Sequence, residues 1–150
     1  MIIPEDFLAN NVNLVGYDFI ETCNNDDLNN QAWDSALSTG KLSWLIANHE
    51  NTTSQNLVFT LDTQKSTVVD NLKAGKSYIV QSEKKASGKE LTYCRLSGDT
   101  LKIAFNQKQD KISFIGENSK ELSQASNTKS AQFIIPTNET YIRIQAHNES

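Results

Sequence analysis

The chain has 150 residues, a mass of 16.8 kDa and a formal net charge of −4. This length predicts one ordinary domain over residues 1–150. The acidic balance argues against a nucleic-acid binder, which needs a basic surface to displace counterions from phosphates. No apolar run reaches the roughly 18 residues of a membrane span, so no membrane insertion is expected. Asn, Ser, Thr and Gln together make up 52 residues, which favours a turn-rich β protein.

Short apolar or alternating runs recur along the chain, separated mostly by Gly, Asn, Asp and Ser. Such runs predict β-strands, and their number predicts an all-β sandwich or barrel. The predicted strands cover 12–17, 41–47, 57–61, 67–69, 78–82, 91–96, 100–105, 111–115, 131–135 and 141–146. The segment 25–37 has apolar residues at helical spacing and is compatible with a short helix or with a loop. The polar segment 117–129 predicts a loop or a short helical turn.

The cysteines and acidic residues give only a weak metal signal. Cys23 and Cys94 are far apart in sequence, and whether they pair stays open. Asp18, Glu21, Asp26 and Asp27 form a carboxylate-dense stretch, which is a candidate for calcium. It lacks the Asp-x-Asp-x-Asp-Gly calcium loop, so a solvated acidic loop is favoured over a calcium site. Zinc-ligand spacings are absent as well, so we predict no metal and no cofactor.

Two segments carry a family resemblance. Val68–Val80 and Ala131–Ile144 resemble elements of jelly-roll carbohydrate-binding modules, and the second is similar to domains of Gram-positive phage tail and baseplate proteins. The resemblance implies a jelly-roll β-sandwich of two antiparallel sheets. It also implies an accessory domain of the virion that holds host cell-wall polysaccharide during adsorption, or that only contacts other tail and baseplate proteins. Homo-oligomerisation is left open.

Strand alternation suggests a binding patch. Cys94 and Leu96 are expected to face inward, which turns Tyr93 and Arg95 outward. In the run Tyr78 to Glu83, Gln81 and Glu83 share a face. If these strands lie in one sheet, the four polar and aromatic side chains form a patch suited to sugar, whose rings stack on aromatics and whose hydroxyls bond to planar polar groups. Arg95 could instead form a surface salt bridge, for example with Glu83.

Four further residues are candidates for ligand contact. Arg143 is predicted to point outward from the last strand, with a salt bridge as the alternative. Trp44 lies mid-strand, where a core position competes with stacking on a ligand. Trp33 lies in the irregular segment and suits either packing or the rim of a site. His49 follows a strand, where a solvated side chain is the ordinary outcome.

Catalytic motifs are missing from the chain. No Gly-x-Ser-x-Gly turn, Walker sequence or dinucleotide glycine pattern is present. A glycosidase pair among the 18 acids stays possible, because sequence spacing does not report distance in space. The sequence therefore predicts a non-catalytic saccharide-binding domain, with a structural virion domain and a small glycan hydrolase as alternatives.

Overall fold

The computed structural model describes residues 2–3, 18–22, 27–47, 54–80 and 91–148. The chain forms two compact units, Met1–Ala86 and Ser87–Ser150, here called the N-terminal and C-terminal units. Strands are the main element, which confirms the β-rich prediction. The prediction of a single domain over 1–150 stays a prediction.

The N-terminal unit contains a parallel sheet and a separate antiparallel pair. Its described elements are β1 (Ile2–Ile3), β2 (Phe19–Thr22), α1 (Asp27–Ser38), β3 (Trp44–Ala47), β4 (Gln55–Val58), α2 (Lys65–Lys73) and β5 (Ser77–Val80). The strand order β1-β2-β3 is parallel, with α1 as the connection between β2 and β3. β4 and β5 pair antiparallel. Phe19, Ile20, Ala36, Leu37 and Val80 are the buried apolar residues described in this unit.

The two described helices of this unit end in the same way. After α1, the amide of Gly40 donates to the carbonyl of Leu37, and the amide of Lys41 donates to the carbonyl of Ala36. After α2, the amide of Gly75 donates to the carbonyl of Leu72, and the amide of Lys76 donates to the carbonyl of Asn71. These paired bonds define the Schellman motif, which requires a residue in the left-handed region. Gly40 and Gly75 occupy that position with φ of 78° and 68°.

The described part of the C-terminal unit, residues 91–148, is one antiparallel sheet of four strands. They are β6 (Leu91–Ser97), β7 (Thr100–Ile115), β8 (Glu121–Ile134) and β9 (Arg143–His147), with a 3-10 turn at Glu117–Ser119. β8 pairs along most of β7. On the other side of β7, β6 pairs with residues 100–105 and β9 with residues 111–115.

A bend in β7 lets this sheet bury its own apolar face. The pairing with β8 shifts between Ala104 and Gln109, which places extra residues on β7 there. Such a bulge kinks a strand and increases its twist. Ile103 before the bend and Ile112 and Phe114 after it then form one core cluster. The ring of Phe114 stacks on that of Phe133, with centroids 5.1 Å apart.

Several sequence predictions need correction. The 25–37 helix is confirmed by α1. The first sheet is parallel, so two antiparallel sheets do not describe the N-terminal unit. Residues 67–69 lie in helix α2, and 100–105 and 111–115 are parts of one strand. The predicted loop at 117–129 is mostly strand β8. The predicted strand 12–17 lies outside the described residues.

Candidate functional site

The face of Tyr93 is set by a β-bulge near the start of β6. Leu91 pairs with Phe105, whereas Tyr93 pairs with Ala104, so β6 has one extra residue between these pairs. Leu91 and Phe105 pack against the core cluster. Because paired residues share a face and neighbours alternate, Tyr93 and Arg95 lie on the opposite face. Alternation from Leu91 alone would have placed Leu91 with Tyr93, and the bulge makes that placement wrong.

Register across the sheet places polar groups beside Tyr93 and Arg95. Arg95 pairs with Lys102, which pairs with Gln132 on β8; Ala104, the partner of Tyr93, pairs with Ser130. We call this surface the outer face and define it by Tyr93, Arg95, Lys102, Ser130 and Gln132. All five side chains are exposed.

A shallow depression lies on the outer face. Its volume is about 180 Å³, and it is lined by Tyr93, Lys102, Ser130, Ala131 and Gln132. The Tyr93 side chain is 46% exposed, so much of it is free to meet a ligand. The lining side chains offer one phenol, one ammonium, one aliphatic hydroxyl and one carboxamide. The depression is open to solvent and is not an enclosed cavity.

Lys102, Ser130 and Gln132 were missed as site residues from sequence. The signal for Lys102 was present, because Lys102 lies between the apolar Leu101 and Ile103, and strand alternation then turns it away from the core. Gln132 follows the same alternation between Ala131 and Phe133. The proximity of Lys102, Ser130 and Gln132 to Tyr93 could not be predicted, because it depends on the pairing of β6 with β7 and of β7 with β8.

Cys94 and Leu96 lie on the core-facing side of β6 but are not enclosed. Cys94 pairs with the buried Ile103, yet Cys94 is exposed and Leu96 is 59% exposed. β6 is at the edge of the sheet, where nothing pairs with its far side among the described residues. The expected burial of both side chains is therefore wrong. Partial desolvation raises the pKa of the Cys94 thiol above its ordinary value. Cys23 lies outside the described residues.

Both tryptophans use their indole N–H groups within the N-terminal unit. Trp33 Nε1 donates to the carbonyl of Ser43 at 3.0 Å, and Trp44 Nε1 donates to that of Lys73 at 3.1 Å. Both side chains are half-buried. A buried or half-buried indole normally satisfies its donor in this way, so the geometry favours packing over ligand stacking for each.

Arg143 does not point into solvent as predicted. Its side chain is 8% exposed, and its Nη1 donates to Gln145 Oε1 at 3.0 Å. It pairs with the buried Ile115, on the same face of the sheet as the buried Ser113. Alternation therefore predicted the correct face of the sheet for Arg143. Its environment was predicted wrongly, because that face is buried near β9.

A charged pair lies on the same part of the sheet. Lys111 Nζ is 2.7 Å from Glu121 Oε2, which also accepts a hydrogen bond from Ser113 Oγ at 2.8 Å. These two bonds stabilise the carboxylate and hold the pKa of Glu121 below its ordinary value. The arrangement is a local, partly exposed network of one ion pair and one hydrogen bond.

The remaining candidates, Gln81, Glu83 and His49, lie outside the described residues, so their proposed grouping with Tyr93 stays a prediction. Across the ranges that the structure describes, no group of three or more His, Cys, Asp or Glu side chains is placed to hold a metal ion. Neither of the described helices is long and apolar enough to cross a membrane. No protein family, curated protein or solved structure matches the chain.

Proposed function

We propose that the chain is a non-catalytic saccharide-binding protein and that the outer face of the C-terminal unit holds the sugar. The observation that carries this proposal is the exposed ring of Tyr93 beside a depression lined by hydrogen-bonding side chains. A tyrosine ring gives apolar contact to the C–H face of a sugar at little entropic cost, because it has only two side-chain torsions.

The polar groups around the ring match sugar hydroxyls. Lys102 donates, Ser130 donates and accepts, and the Gln132 carboxamide does both. None of these three has an internal hydrogen bond through its side chain to another described residue, so each can bond to a ligand. A shallow site of this kind binds one sugar weakly, and several copies acting together raise the avidity.

The lining of the depression favours binding over hydrolysis. Glycosidases of the usual type place two carboxyl groups on either side of the scissile bond. The five lining residues are Tyr, Lys, Ser, Ala and Gln, none of which has a carboxyl group. A ligand seated there would meet donors and an aromatic surface, without an acid and base pair from these side chains.

The wider biological setting rests on the sequence resemblance alone. A jelly-roll fold, a place in a phage tail or baseplate, and adhesion to host cell-wall polysaccharide remain proposals. A purely structural virion domain is the competing proposal. It predicts that no saccharide binds to the outer face.

The test is saccharide binding by the full chain and by two Tyr93 variants. Stacking over roughly 100 Å² at about 25 cal/mol per Å² is worth about 2.5 kcal/mol, so Tyr93→Ala should weaken binding by at least about tenfold. Tyr93→Phe keeps the ring and should bind within about threefold of the wild type. Glycan arrays and titration with cell-wall polysaccharides provide the measurement. Absence of binding by the folded wild type, or equal binding by Tyr93→Ala, would overturn the proposal.

A further inference from the structure

We infer that the saccharide recognised by the outer face carries negative charge, as a carboxylate or phosphate group. The inference rests on the proposed function and adds the chemical class of ligand. Its origin is the direct pairing of Arg95 with Lys102 on neighbouring strands. Like charges that face each other across a sheet destabilise the folded state unless something neutralises them.

No described side chain provides that neutralisation. Neither Arg95 nor Lys102 forms an ion pair or side-chain hydrogen bond with the described residues. The next position across the sheet is Gln132, which is uncharged. Asp99, the carboxylate in the turn between β6 and β7, accepts a hydrogen bond from Thr100 Oγ1 at 3.0 Å. Among the residues that the structure describes, neither cation therefore has an acidic partner, and both side chains are exposed on the outer face.

The position of the cations matches the proposed sugar site. Lys102 lines the same depression as Tyr93, and Arg95 is two residues along β6 from Tyr93 on the same face. A sugar stacked on Tyr93 would then place an acidic substituent within reach of both cations. Arginine binds carboxylate or phosphate through two parallel N–H groups, and lysine adds a point charge.

The charge balance of the C-terminal unit makes this local pair informative. Residues 87–150 carry 8 Lys and Arg against 7 Asp and Glu, so the unit that contains the pair is close to neutral. The Arg95 and Lys102 pair is thus a local concentration of positive charge and does not belong to a generally basic surface. An anionic ligand would relieve the cross-strand repulsion and would bind with a strong dependence on ionic strength.

Matched polymers that differ only in charge test the inference. The probes are polygalacturonate and its methyl ester, and a phosphomannan before and after removal of its phosphomonoesters. The full chain should bind at least one acidic polymer about tenfold or more tightly than its neutral form. That preference should shrink as salt is raised. Whether galacturonate or phosphomannan binds better identifies the carboxylate or the phosphate as the preferred group.

Charge variants locate the effect. Arg95→Gln with Lys102→Gln should remove most of the preference for the acidic form, while Tyr93→Ala should weaken binding to both forms. Lys108→Gln with Lys120→Gln removes two exposed charges elsewhere in the same unit and should leave the preference intact. Circular dichroism of each variant verifies that it is folded.

The outcomes separate the two proposals. Equal binding of acidic and neutral polymers would overturn the charge inference and leave saccharide binding standing. An equal loss of preference in the Lys108 and Lys120 variant would overturn the assignment to Arg95 and Lys102. Absence of binding to every polymer, together with no binding on a wider glycan array, would overturn the proposed function itself.

Discussion

Two glycines with the same backbone role should respond very differently to substitution by alanine. Gly40 and Gly75 both close a helix in a Schellman motif with positive φ. A Cβ added at Gly40 would meet no atom within 4 Å. At Gly75 it would lie 2.6 Å from Trp44 Cε2 and closer still to two other atoms of that ring. The pair therefore separates the cost of backbone conformation from the cost of a steric clash.

The expected magnitudes follow from these two terms. Alanine in the left-handed region costs roughly 1–2 kcal/mol at either position. Relief of the clash at Gly75 requires Trp44 to move, and overpacking of this kind typically costs about 1–3 kcal/mol more. The movement also threatens the hydrogen bond from Trp44 Nε1 to Lys73, so Gly75→Ala should be about 2 kcal/mol less stable than Gly40→Ala.

Urea unfolding followed by far-UV circular dichroism measures both free energies of unfolding. A double-mutant cycle with Trp44→Leu isolates the contact, because the extra cost of Gly75→Ala should fall when the indole ring is absent. Gly40→Ala in the Trp44→Leu background is the control and should show no such coupling. Equal losses for the two glycine variants, or an unchanged cost without the ring, would refute the assigned packing of Trp44 on Gly75.

Two further predictions concern the C-terminal unit. Phe114→Ala should lower the free energy of unfolding by about 3–5 kcal/mol, because Phe114 is 1% exposed and stacks on Phe133; a loss below about 1 kcal/mol in urea unfolding would contradict that core. Glu121→Gln should reduce stability above the ordinary carboxyl pKa, because Lys111 and Ser113 lower the pKa of Glu121 in the folded state. That stabilisation is lost as pH falls through the lowered pKa, so the free energies of unfolding of the wild type and Glu121→Gln should converge in acid. A difference in stability that does not change with pH would argue against the network.

The sequence carried enough information for most strands of the C-terminal unit. Their apolar positions alternate, and Gly98 marks the tight turn between β6 and β7, where its φ is 61°. The bend in β7 was harder to predict. Two runs separated by the polar residues 106–110 look like two strands, and only the backbone pairing with β8 shows that they are one.

Two segments had local preferences that the fold overrides. Thr67, Val68 and Val69 are β-branched and favour strands, yet they lie in α2. Asp62 precedes that helix and accepts from the Gln64 amide at 2.9 Å, which helps to set its start. β8 shows the opposite case, since its polar residues give little apolar pattern and its pairing with β7 fixes it as a strand. The parallel pairing of β2 with β3 was also beyond prediction, because local patterns do not identify a strand's partner.

The two arginines show what decides whether a strand residue can serve a ligand. Alternation assigned Arg95 and Arg143 outward by the same reasoning, yet Arg95 is exposed and Arg143 is buried. The difference lies in what covers the second face of the sheet. Near β9, Ile115 and Ser113 on that face are buried as well, whereas near β6 the face stays open around Tyr93. Within the described part of the C-terminal unit, an exposed arginine and an exposed aromatic ring therefore occur together on strand β6. A binding role for Arg143 would first require its hydrogen bond to Gln145 to break.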